Sequence, residues 1–132
     1  MKSSYKLTIA LSAGVAIGGL AIHVLHAQAK PPVYAISEIT PTDVDTFTQE
    51  YAPKARAAIK AAGGRTLAAG KAIQFEGDAP KPRTVIIQWD SMEQLQAWRS
   101  SAAYKELLPV REKLAKYRTF AIEGVSATGA AN

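Results

Sequence analysis

Two short runs constrain this chain more than anything else in it: VYAISEI (Val33–Ile39) and TVIIQW (Thr84–Trp89). Both are rich in β-branched and aromatic residues, and both are apolar on each of their two alternations. A strand shows one alternation to each face of its sheet, so such runs belong at the centre of a sheet. Whatever fold they enter must cover them on two sides.

The other elements arrange themselves around these two. TPTD (Thr40–Asp43) offers a helix start, with Thr42 as cap and Asp43 and Asp45 at the positive end of the dipole. Val44, Phe47, Tyr51, Ala55, Ala58, Ile59 and Ala62 then make one apolar stripe. Pro53 is expected to kink or split that helix, and Ala62-Gly63-Gly64 to end it. Arg65–Asp78 reads as a strand with a bulge near Gly70, and APKP (Ala79–Pro82) as a turn. Ser91 and Gln94 have the spacing of a capping box. The helix they open is expected to reach about Tyr117, bent near Ser100-Ser101 and near Pro109. RTFAIEGV (Arg118–Val125) is the last strand, and no internal repeat is visible.

The order is β-α-β-β-α-β, the α+β ferredoxin-like plan: a four-stranded antiparallel sheet with both helices on one face. One face of the two-sided strands is then left bare. Depending on register it exposes Val85, Ile87 and Trp89, or Ile86 with its neighbours. A patch of that kind marks an interaction surface, and the simplest partner is a second copy packed sheet to sheet. A homodimer is therefore expected.

The first 29 residues differ in kind. Met1–Lys6 is short and basic, Leu7–Leu25 is a run of 19 residues without formal charge, and Ala27 and Ala29 form an A-x-A exit. This describes a signal peptide cut after Ala29. The alternative is an uncleaved anchor, since the apolar run approaches a bilayer's span and Gly14 and Gly18 form a G-x-x-x-G. Either way the folded part is expected outside the cytoplasm, in the periplasm or secreted. The chain divides into a leader (1–29), a domain (30–125) and a small, polar, disordered tail (126–132).

Missing residues narrow the chemistry. The chain has no cysteine, so it has no disulfide, thiol nucleophile or thiolate metal site. Its two histidines, His23 and His26, lie in the leader, and the mature domain is left without imidazole. That excludes a Ser-His-Asp triad and histidine-ligated zinc or haem, and no cofactor or metal is expected. Losing Lys2 and Lys6 with the leader lowers the formal charge from +5 to +3. With no basic run, nucleic acid is not an expected partner, and membrane contact would come only through an uncleaved leader.

Several segments together carry a family likeness: AAGGR (Ala61–Arg65), FEGD (Phe75–Asp78), QWDSME (Gln88–Glu93), WRSSAAYKELLPVR (Trp98–Arg111) and FAIEG (Phe120–Gly124). From Val33 to about Val125 the chain resembles the uncharacterised bacterial family catalogued as domain of unknown function 1330, including members with a signal peptide. The resemblance implies a dimeric α+β barrel, in a superfamily that includes cofactor-free monooxygenases, isomerases and haem enzymes. It supplies no catalytic residue. Where the family often has an aromatic residue after the tryptophan, this chain has Arg99.

Candidate site residues come from the second helix. Tyr104, Leu107, Arg111 and Leu114 share one face, and Arg111 is a guanidinium on the side that should turn inward. Its head must reach water, pair with a carboxylate such as Glu38, Glu76 or Glu123, or hold an anionic ligand. Trp98 and Tyr104 either fill the core or line a cavity between helices and sheet; Tyr34 is a further ligand-binding candidate, and with Trp89 it also reads as part of the sheet or of a dimer interface. Arg65 reads as a surface or dimer-rim ion pair, and Glu76-Gly77-Asp78 as a turn rather than a metal site. The function expected is binding of a small organic, possibly anionic, molecule. A cofactor-independent oxygenase or isomerase, and a structural dimer without ligand, are the alternatives.

Overall fold

The computed structural model describes residues 30–126, and its folded unit is Pro31–Val125. The leader, its cleavage point and tail residues 127–132 lie outside the described residues. Among the described residues no helix is long and apolar enough to cross a membrane.

In chain order the elements are β1 (Val33–Pro41), α1 (Val44–Thr46), a π-helical stretch (Phe47–Tyr51), α2 (Ala52–Ala61), β2 (Arg65–Gly70), β3 (Arg83–Trp89), α3 (Met92–Ser100), α4 (Ala102–Leu114) and β4 (Ala115–Glu123). The strands form one antiparallel sheet in the order β2-β3-β1-β4. This is the ferredoxin-like arrangement, and the two-sided strands β1 and β3 are its central pair.

Register decides which side chains meet the helices. Val33 lies opposite Trp89 and Ala35 opposite Ile87, so this alternation forms one continuous face. Leu95 and Trp98 from α3, Ala58 and Ile59 from α2, and Tyr104 and Leu107 from α4 all pack on it. A second cluster, Ile39, Phe47, Tyr51 and Ala115, closes the other end of the same layer. The opposite alternation carries Tyr34, Ile36, Ile86, Phe120 and Ile122, with no helix over it. Of the two registers open in the sequence, the one with Ile86 on the bare face is realised.

The first helix departs from expectation at its cap. Asp43, not Thr42, is its cap: the carboxylate accepts from the Thr46 backbone N–H at 3.1 Å and from the Thr46 hydroxyl at 2.8 Å. Those bonds hold the Asp43 carboxyl below its ordinary range. Thr42 is used at long range instead, its backbone N–H (2.9 Å) and hydroxyl (3.1 Å) both donating to the Leu114 carbonyl at the end of α4. The split expected at Pro53 takes the form of a π-helical stretch, with the proline in the first turn of α2. The turn before it widens, so that Ala52 N–H donates five residues back to the Phe47 carbonyl. Proline lacks an N–H and crowds the carbonyl four residues earlier, and a π-turn relieves both problems.

Gly63, at φ +96°, ends α2, and the Gly64 N–H returns to the Ile59 carbonyl at 2.9 Å. A Cβ on Gly64 would lie 2.6 Å from Ile59 Cγ2 and 2.9 Å from Trp89 Cζ2, so this helix end closes directly onto the indole. Strand β2 stops at Gly70 rather than Asp78, and its bulge falls at Leu67, between Thr66 and Ala68. The chain after Gly70 contains Pro80 and Pro82, which cannot donate to a ladder. Strand β4 begins at Ala115, earlier than the sequence reading, because Ala115 pairs with Pro41.

Candidate functional site

Between the covered face of the sheet and helices α2, α3 and α4 lies a cavity of about 350 Å³. This is within the range of small-molecule sites, roughly 300–1,000 Å³. One wall is a run of aromatic rings. Trp89 and Trp98 stack with centroids 6.0 Å apart, and Tyr104 meets Trp98 edge-on at 5.5 Å. Such pairs add roughly 0.5–1.5 kcal/mol beyond the area they bury. The Trp89 Nε1–H is buried with no hydrogen-bond partner among the described residues.

Local chemistry sets that wall. The capping box forms as the spacing indicated: Ser91 Oγ accepts from Gln94 N–H at 3.1 Å, and Gln94 Oε1 accepts from Asp90 N–H at 2.8 Å. Ser101, in extended conformation, breaks the expected single helix into α3 and α4. Its hydroxyl donates to the Trp98 carbonyl at 2.6 Å and accepts from the Tyr104 N–H at 3.2 Å. One side chain thus joins the two helices at the residues that carry the aromatic wall.

Arg111 supplies the charge. Its guanidinium donates to the Tyr104 hydroxyl at 2.7 Å and to Thr119 Oγ1 at 3.4 Å, and lies 3.7 Å from the Tyr117 ring centroid. None of the three carboxylates considered for it pairs with it, and Glu38 pairs with Arg118 at 2.5 Å. No Asp or Glu among the described residues forms an ion pair with Arg111. Arg99, more exposed, lies 5.1 Å from the Tyr104 ring centroid and lines the same cavity. Among the described residues the cavity wall therefore holds two arginines and no Asp, Glu or His.

Tyr51 and Tyr117 lie beside this cation. Burial raises the Tyr51 phenol above its ordinary range, opposed by a hydrogen bond from Tyr117 and the Arg111 charge. Tyr117 is raised well above that range, by burial first and by the neighbouring Tyr51 second. Both phenols stay neutral and able to donate.

Of the four residues singled out in the sequence, the structure brings Trp98, Tyr104 and Arg111 to one cavity. Tyr34 does not join them. It lies on the opposite alternation of β1, on the bare face, because Val33 and Ala35 are the residues turned to the helices. Three participants escaped the sequence reading: Tyr51, Tyr117 and Thr119. Tyr117 and Thr119 alternate along β4 onto the helix side, a signal hidden once Tyr117 was assigned to the preceding helix. Arg65 does form an exposed ion pair, with Asp90 at 3.5 Å.

Residues 32–125 match the family described as domain of unknown function (DUF1330). No curated protein matches the chain. Among solved structures, a protein of unknown function from Rhodopseudomonas palustris, RPA0582, aligns at a TM-score of 0.57 and 14% identity, over 80% of this chain and 92% of that one. Its methylated form aligns at 0.61 and 11%, over 81% and 91%. SnoaB, a cofactor-independent oxygenase from Streptomyces nogalater, aligns at 0.55 and 11%, over 74% of this chain and 96% of that one. These likenesses establish the fold that the resemblance implied, that of the dimeric α+β barrel proteins. The chain belongs to the DUF1330 family.

Proposed function

We propose that this member of the family binds a small organic anion with an apolar body in the cavity between its helices and sheet. One observation carries the reading: Arg111, half-buried at an aromatic-walled cavity, has hydroxyls and a ring as neighbours but no carboxylate. A desolvated guanidinium without a counter-charge favours an anion, and charge-assisted hydrogen bonds to one are worth about 1.5–3 kcal/mol. Because the Tyr104 hydroxyl accepts from Arg111, its own proton is free for a ligand oxygen.

Binding is favoured over turnover. No Asp, Glu or His among the described residues lines the cavity, so proton abstraction there would fall to a tyrosine, a weak base at neutral pH. The oxygenase activity belongs to SnoaB, and at 11% identity the shared fold does not transfer it.

The proposal extends to assembly and address. Tyr34, Ile36, Ile86, Phe120 and Ile122 make an apolar band on the bare face, and a second copy of the chain packed there would cover it. The basic start, apolar run and A-x-A exit of the leader support an address in the cell envelope.

Calorimetric titration with decanoate and with 1-decanol tests the site. Decanoate is expected to bind at least about tenfold tighter than the alcohol, and Arg111→Gln to weaken it by about ten- to a hundredfold with the circular dichroism unchanged. Equal affinity for acid and alcohol would defeat the proposal.

A further inference from the structure

A second, smaller cavity of about 100 Å³ lies beside the first. Ser37, Tyr51, Ala55, Ile59 and Ile87 line both, so the two share a wall of side chains rather than standing apart. The second cavity repeats the charge pattern of the first. It holds two arginines, Arg83 and the more exposed Arg56, and again no Asp or Glu. Arg83 stands at the start of β3 on the alternation that faces the helices, as Val85, Ile87 and Trp89 do. Its Nε is buried and has no hydrogen-bond partner among the described residues. No ion pair of Arg83 is found there either.

A buried guanidinium N–H without a partner is costly. Arg83, with its unpartnered Nε, and Arg111, bonded to hydroxyls but to no carboxylate, stand across one apolar layer from each other. Register gives their separation. Arg111 reaches Thr119, which lies opposite Ser37, and Ser37 lies opposite Val85. Two strand spacings across the sheet and two residues along β3 place the ends on the order of 10 Å apart.

We infer that the two cavities form one elongated site, and that its ligand carries an acidic group at each end of an apolar body. One acid would meet Arg111 and Tyr104, and the other the guanidinium of Arg83, which lines the second cavity. Tyr51 stands at the waist, where the apolar middle of the ligand passes. The inference rests on the anion-binding reading above and gives it a shape.

The test compares decanoate with decanedioate, by calorimetry at low salt, on the full chain and on Arg83→Gln and Arg111→Gln. The diacid is expected to bind about tenfold tighter than the monoacid, the value of one added charge-assisted contact. Arg83→Gln should erase that difference, with the circular dichroism unchanged as the report of an intact fold. Arg111→Gln should weaken both ligands. Equal binding of the two acids to the unaltered protein, or a diacid preference that survives Arg83→Gln, overturns the two-ended site. If decanoate still binds through Arg111 in those cases, the single-anion reading stands alone. If neither acid binds, both readings fall together.

Discussion

The same strands give the sheet two very different faces. Toward the helices, Val33 and Trp89 are 1% exposed and Ile39 is 3%. On the other side, Phe120 and Ile122 keep 43% and 57% of their surface. Strand composition does not account for this, since β1 and β3 are apolar on both alternations. Burial is conferred by what lies opposite. Two helical crossovers of one hand can cover only one face of a four-stranded sheet. The covered face became a core with a polar-rimmed cavity, and the bare face has no helix over it among the described residues.

The largest effect should come from breaking the covered face. Trp89 touches the α2 end through Gly64 and stacks on Trp98, so Trp89→Ala is expected to cost about 4 kcal/mol of unfolding free energy by urea titration. A loss within about 1 kcal/mol would mean that the indole is not the keystone of that layer.

The bare face should respond in association rather than in folding. Phe120→Glu places a charge in the middle of the apolar band, and is expected to weaken dimerisation by about a hundredfold in sedimentation experiments. Its effect on the stability of one chain should be small, about 0.5 kcal/mol. Should the unaltered protein sediment as a monomer at every concentration, the face has no twofold partner.

The smallest effect is one of pH and belongs again to the covered face. Tyr51 and Tyr117 ionise at higher pH in the folded chain than the ordinary phenol value of 10.0. The stability this gives is complete below that value and declines as pH rises beyond it, because the unfolded chain releases those protons first. The slope is up to about 1.4 kcal/mol per pH unit for each phenol. Replacing both by phenylalanine should flatten the alkaline limb of the unfolding curve, and an unchanged limb would show that neither phenol is held neutral.

Much of this was readable in the chain. The order of elements, the central pair, the Ser91–Gln94 box and the meeting of Trp98, Tyr104 and Arg111 all follow from short-range periodicity and capping chemistry. What escaped depends on distant partners. Thr42 looks like a cap, but the Leu114 carbonyl, far along the chain, claims it. Of the two places open to Tyr34, the cavity and the sheet, it takes the second, because the helices, not the strand, select Val33 and Ala35 as the inward pair. Tyr117 was lost to a boundary error of a few residues, where β4 starts directly after α4.

Ser101 carries a mechanical consequence. Its single oxygen terminates one rod and initiates the next, so neither rod can slip or unravel there without disturbing its fellow. The backbones that carry Trp98 and Tyr104 are thereby pinned to one oxygen, which sets the spacing at which their rings meet edge-on at 5.5 Å.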